Sequence, residues 1–333
     1  MNTTRRGMLL GVPAALVAAS ARAQSSDWNA VLAGAKREGR LVFYTGAPEQ
    51  VTSPILTGFR KTYPDVPIEM FRGPSGEVIS KLDRERAAGI DGADVALATE
   101  VAWFTARGAE GGLIAPRGPA RAAWPDVALL PGGGLIVGRE PIVIAYNTEI
   151  VKSPPRSYAE LLGPEYRNKL GSSELASTVL IAWYDFLERT QGPEYLPKLK
   201  AQNVKMYNGS VPGAQAVAAG EISVDAFGVP TAIRPLAAQG APIAYTVPSP
   251  GLGNQYAAGA LAWSKRPNAA LLFLDFVMSR DGQSAWHGQG GSASPLRDIK
   301  GGLDFDAITP YDPAAWTPEK IAAYRARWNT IFR

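Results

Sequence analysis

Hydroxyl-bearing turns, three of them with glycine, recur along this 333-residue chain, each after an apolar run and before a stretch of helical spacing. They are Tyr44-Thr45-Gly46-Ala47, Arg72-Gly73-Pro74-Ser75-Gly76-Glu77, Thr99-Glu100, Ser172-Ser173 through Ser177-Thr178, and Asn208-Gly209-Ser210. Singly, each is what a helix start needs, because Ser, Thr and Asn are the usual N-caps. Together they offer hydroxyls, backbone N–H groups and the carboxylate of Glu100. That is the chemistry of holding a small ligand, above all an anionic one at helix N-termini. Arg72 is a candidate counter-ion, set against a plain solvent-facing role.

Signs of bond-making chemistry are missing. There is no G-x-S-x-G elbow, no H-E-x-x-H pair and no G-x-x-x-x-G-K-[ST] phosphate loop. With no cysteine, the chain has no thiol nucleophile, disulfide or lipid-anchored cysteine. His287 is the sole histidine. It reads as a partly exposed polar residue at a helix end rather than a general base or metal ligand, since the usual metal site needs a second one. Asp83, Arg84, Glu85 and Arg86 read as a solvated helix face. Glu221 reads as a helix-end or solvent-facing acid. Trp183 and Tyr184, at helical spacing with Leu180 and Leu187, read as core rather than as a stacking platform. The expectation is a non-enzymatic protein with no cofactor and no resident metal.

The elements that must position these turns alternate as in an α/β protein. Residues 1–23 are set aside as an export signal: Arg5-Arg6, an apolar stretch too short to span a bilayer, then Ala21-Arg22-Ala23. The paired arginines look like a twin-arginine address. Taking Arg5, Arg6 and Arg22, and no acid, out of the formal +4 leaves +1, so no nucleic-acid-binding face is indicated. Strands are expected at 41–44, 66–71 and 93–98, each followed by a helix (53–63, 76–88 and from 101). Extended segments at 135–137 and 142–146 read as strands running between two domains. Further helices are expected at 158–162, 175–188, 212–219, 269–278 and 318–328, with strands at 222–227 and 256–263. The implied plan is a first lobe from 24–125, a second lobe with hinge strands from 126–245, and a return to the first lobe with C-terminal helices at 246–333.

In order and spacing, Phe43-Tyr44-Thr45-Gly46, Ser75-Gly76-Glu77, Ala93-Asp94-Val95 leading to Thr99-Glu100, and Val143-Ile144-Ala145-Tyr146-Asn147 resemble the periplasmic solute-binding proteins of ABC importers. Asn208-Gly209-Ser210, Ala219-Gly220-Glu221-Ile222 and Ala293-Ser294-Pro295-Leu296 extend the likeness over nearly the whole exported chain. The related branch is that of the ferric-iron-binding proteins. The resemblance implies a two-lobed periplasmic-binding-protein fold of type II, a hinge of crossing strands and capture of a small-molecule ligand by closure. It also implies a periplasmic monomer that serves a permease and an ATPase. The ligand-binding residues it and the turns suggest are Tyr44, Thr45, Gly46, Ser75, Gly76, Thr99, Glu100, Tyr146, Ser177, Thr178, Ser210, Gly228 and Val229. The iron branch uses a histidine, a glutamate and two consecutive tyrosines. Only the glutamate has a match, at Glu100. Ala47-Pro48 stands at the histidine and Gly228-Val229-Pro230-Thr231 at the tyrosine pair, which argues against iron as cargo. A small organic or oxyanionic solute is the favoured ligand. The alternatives are ferric iron with a synergistic anion, or an enzyme or receptor subunit on the same fold.

Overall fold

The computed structural model describes residues 27–312 and 315–333, so the expected export signal lies outside the described residues. After a helix at 27–38 (α1) the chain alternates as its turns dictate. The elements are β1 (Leu41–Thr45), α2 (Glu49–Thr62), β2 (Ile68–Arg72), α3 (Ser75–Ala87), β3 (Val95–Ala98) and α4 (Val101–Ala109). Next come β4 (Leu113–Ile114) and β5 (Leu135–Pro141). A second run follows: β6 (Val143–Asn147), β7 (Leu170–Ser173), α5 (Thr178–Gln191), α6 (Tyr195–Ala201), β8 (Lys205–Tyr207), α7 (Ser210–Ala218), β9 (Val224–Gly228), α8 (Pro230–Ala238) and β10 (Ile243–Thr246). The chain ends with β11 (Gly251–Leu261), α9 (Pro267–Met278), α10 (Arg280–His287), β12 (Ile308–Pro310) and α11 (Pro318–Phe332).

Two sheets result. One has the order β12-β11-β3-β1-β2, with β4 and β5 also paired to β11; the other is β10-β6-β9-β7-β8. Helices flank both, giving the two-lobed type II architecture. Each sheet has a parallel run reaching one edge: β3-β1-β2 in the first and β9-β7-β8 in the second. Parallel strands are covered on both faces, which is why β3 and β9 are buried along their whole length.

The expected hinge strands fall one in each sheet. β5 ends at Pro141 and β6 begins at Val143, so the chain changes sheet across Ile142. It returns between Thr246 and Gly251. β11 is longer than its sequence suggests: its first half pairs with β5 beyond the end of β3, and its second half pairs with β3 and β4. α11 goes further than the expected return to the first lobe. It crosses back, burying Trp328 in the second lobe's core 5.7 Å from the Tyr184 ring. There the Tyr324 hydroxyl donates to Glu188 Oε2 at 2.6 Å.

Both lobes have dense interiors. Trp183 and Tyr184 are fully buried, as their spacing indicates, and the Trp183 indole donates to the Tyr158 hydroxyl at 2.9 Å. In the first lobe a charge lies inside: Asp94 is fully buried, accepting from Arg266 Nε at 2.8 Å, Ser264 Oγ at 2.6 Å and the Val42 N–H at 2.6 Å. The remaining guanidinium nitrogens hold Asp91 in a two-pronged contact at 2.9 and 2.8 Å. That network ties the start of β3 to the end of β11.

Candidate functional site

The six strands of these parallel runs each lead into a helix: β1 to α2, β2 to α3, β3 to α4, β7 to α5, β8 to α7 and β9 to α8. Five of these six junctions are the hydroxyl-bearing turns picked out from the sequence; the sixth is Gly228-Val229. In an open α/β sheet the carboxyl ends of the strands are where ligands sit. In the first lobe the three junctions are knitted together. The Gly46 N–H donates to Leu97 O at 2.7 Å, the Gly73 N–H to Thr45 O at 3.2 Å, and the Thr99 N–H to Ser75 Oγ at 3.2 Å. Gly46 is required there: a Cβ at that position would sit 2.0 Å from Ser75 Oγ, so any side chain would push α2 and α3 apart.

None of the six helices is capped by its N-cap side chain. The positions are Pro48, Pro74, Glu100, Ser177, Gly209 and Val229. Ser177 could form such a bond and does not. Elsewhere the starts are held: Ser279 caps α10, Thr317 caps α11, and Glu38 accepts from the first N–H groups of α9 at 3.2 and 2.7 Å. Among the remaining helices whose starts are described, the seven-residue α6 is the exception. N–H groups left open at a strand-end rim can take a ligand's oxygens. Glu100 stands at the start of α4 without capping it. It is half-buried, and burial raises its carboxyl above the usual range, opposed by hydrogen bonds from Thr99 and Ser75.

The sequence-expected residues divide accordingly. Thr45, Gly46, Ser75, Gly76, Thr99 and Glu100 lie on the first lobe's rim; Ser177, Thr178, Ser210, Gly228 and Val229 lie on the second's. Two do not belong with them. The Tyr44 ring is buried and turned to α3, its hydroxyl donating to Glu85 Oε1 at 3.1 Å with Lys81 over the ring. This also makes Glu85 more than a solvated face residue. Tyr146 is at the wrong end of its sheet. β6 runs antiparallel to β9, so Tyr146 pairs with Val224 at the start of β9, while the cleft-side end pairs Val143 with Gly228. Arg72 is exposed, and Glu221 faces solvent, where it accepts from the Tyr207 hydroxyl at 3.0 Å.

His287 requires a correction. It ends α10, as expected, but it is fully buried rather than partly exposed. Its Nε2–H donates to Val137 O at 3.2 Å, Nδ1 faces Ser292 Oγ at 2.7 Å, and its ring stacks on Trp286. Burial pushes it down to about 3, so the ring is neutral. The overlooked signal is Gly138: a Cβ there would meet His287 Cε1 at 2.5 Å, so the glycine makes room for the imidazole.

A cavity of about 380 Å³ opens between the lobes beside the rims. Its first-lobe wall includes the first turns of α2, Tyr256, Trp286 and the 289–292 loop; its second-lobe wall is α8 from Pro230 to Ala238; Glu140 lies at the crossing. None of the sequence-expected site residues lines it. A larger cavity, about 700 Å³, lies between α5, β12 and α11, but two of its cations are already engaged: Arg189 by Asp185, and Arg327 by Glu188.

Comparison with known proteins gives one consistent result. The chain is similar in structure to the substrate-binding protein of an ABC transporter from Agrobacterium tumefaciens, with a TM-score of 0.68, 18% identity and coverage of 88% of this chain and 94% of that one. It is also similar to iron-bound HitA from Pseudomonas aeruginosa, with a TM-score of 0.61, 19% identity and coverage of 88% and 98%. AfuA from Actinobacillus pleuropneumoniae, with fructose-6-phosphate bound, gives a TM-score of 0.58, 21% identity and the same coverage. No curated protein is significantly similar in sequence. The bacterial extracellular solute-binding protein family matches residues 41–292, and the chain belongs to that family.

Proposed function

We propose that the protein is the solute-capturing component of an ABC importer. It works in the periplasm as a monomer and hands its cargo to a permease coupled to an ATPase. The lobes are residues 41–141 with 251–310, and residues 143–246. A small organic or oxyanionic solute is held between them without chemistry. Thr45, Gly46, Ser75, Gly76, Thr99 and Glu100 contribute from one rim, and Ser177, Thr178, Ser210, Gly228 and Val229 from the other.

The observation that carries this reading is the set of six uncapped helix starts at the strand ends of two facing lobes. Closure around a ligand follows when the closed state makes contacts the open one lacks. Native mass spectrometry of protein purified from the periplasm should reveal a co-purifying solute. Adding that solute back to stripped protein should contract the scattering profile and raise the melting temperature, by about 2.7 kcal/mol of stabilisation at a hundredfold excess over Kd. A tightly bound solute that leaves the scattering unchanged would sink capture by closure.

A further inference from the structure

The cavity between the lobes contains two opposite charges that are not paired with each other. Glu140 is 8% exposed, and its Oε2 accepts from the Tyr256 hydroxyl at 3.3 Å. Arg234, one turn into α8, gives its N–H groups to two neutral oxygens: Gly290 O at 3.2 Å and Gln289 Oε1 at 3.0 Å. Among the described residues neither forms a salt bridge, although both line the same cavity. Elsewhere in the molecule a buried acid and a buried arginine do close on each other, at Asp94 and Arg266. Glu140 is buried, where a charge is costly unless compensated, and Arg234 is partly exposed at the cavity's side. Here each has neutral hydrogen-bond partners and no counter-ion.

The space between these charges is bounded by Trp286, Pro54 and Pro235. Its volume of about 380 Å³ falls at the small end of the range for ligand pockets. We propose, building on the solute-capture reading but moving the contacts from the rim turns to this cavity beside them, that it selects a zwitterionic amino carboxylate with an apolar body. The ammonium goes to Glu140, the carboxylate to Arg234, and the body lies against Trp286 and the prolines. Glu140 belongs to the first lobe and Arg234 to the second. Arg234 already reaches the first lobe through Gly290 and Gln289, so a solute that spans the two charges adds a second tie between the lobes, and a singly charged one satisfies only one side.

The protonation states suit this assignment. Burial pushes Glu140 up to about 6, opposed by hydrogen bonds from Thr231 and Tyr256 and by the charge of Arg234. The other titratable groups around it do not change charge between pH 5 and 8. Burial raises Tyr256 and Tyr245, and His287, behind Trp286, is held neutral by burial. Arg139 is next in the chain, and Arg234 supplies positive charge from across the cavity. An ammonium beside Glu140 favours the ionised carboxylate, so affinity should weaken as the pH falls through about 6.

The test is calorimetric titration with each standard L-amino acid. The des-amino acid and the decarboxylated amine of the tightest binder follow. Each singly charged analogue should bind about tenfold to a hundredfold more weakly. Glu140→Gln should erase the discrimination against the des-amino analogue alone, and Arg234→Gln that against the amine alone. A folding defect cannot produce this crossed pattern, and the wild-type analogue series stands whether or not a variant folds. Failure of every amino acid to bind at millimolar concentration, equal binding of the analogues, or unchanged discrimination in both variants would each overturn the proposal. A co-purified solute lacking either charge, which still contracts the protein, would overturn this assignment and leave solute capture standing.

Discussion

Asp94 with Arg266 and Glu140 with Arg234 are two acid–arginine combinations in one chain, and they are built in opposite ways. The first is closed. Both residues are buried, the contact is 2.8 Å, and further donors complete the carboxylate. The second faces a cavity between lobes, and its members are satisfied by neutral partners instead. The same contrast holds for backbone groups. Helix starts remote from the strand-end rims are mostly capped, and those at the rims are not. Where the molecule only has to stand, polar groups are completed internally. Where two lobes meet, helix starts are uncapped and opposite charges are held by neutral partners rather than by each other.

The largest expected effect breaks the closed pair. Arg266→Met leaves Asp94 buried without its counter-ion, which should cost about 3–5 kcal/mol, read as a lower midpoint in urea. A loss under about 1 kcal/mol would mean that the network is dispensable.

Asp225 sharpens the contrast within the second lobe. It is fully buried, its Oδ2 has no partner, and burial pushes it up to about 7. A raised folded-state value means that its contribution to stability is complete below about 3.9, the unfolded value, and is lost as pH rises through about 7. Asp225→Asn should therefore flatten the stability profile between pH 5 and 8 and stabilise the protein at pH 8 by about 1–3 kcal/mol. A variant less stable than wild type at pH 8 would show that the ionised carboxylate is accommodated by a partner such as bound water.

The reading of the sequence succeeded where structure is local. The turns at Thr45, Ser75, Thr99, Ser177 and Ser210 are strand-to-helix junctions because glycine, hydroxyl residues and a switch from short apolar runs to helical spacing mark them directly. It failed where a side chain's surroundings are decided by distant pairing. Tyr146 lies on a strand whose direction is set by β9, some 80 residues later, and an antiparallel partner reverses which end faces the cleft. His287 is buried because Gly138, far back in the chain, leaves room for it. Glu140 and Arg234 share a cavity only after the lobes are placed, so no spacing in the chain announces them.

The smallest effects separate open from capped helix starts. Ser279→Ala removes a cap and should cost about 1 kcal/mol. Ser177→Ala removes no cap bond, so the melting temperature should stay within error. Equal destabilisation by both would mean that Ser177 caps α5 in solution.

The place of β11 has a consequence for how the chain acquires its shape. The free edge of β3 is covered only when Ala257 pairs with Ala98, and the whole of the second sheet, β6 to β10, is synthesised between them. Until then one edge of β3 is bare, with its backbone donors and acceptors open to any other strand. Such distant pairing is slow, and a partly made sheet is prone to stick to its neighbours. The residues between 98 and 251 therefore act as a delay, during which the N-terminal half needs either dilution or a chaperone's cover.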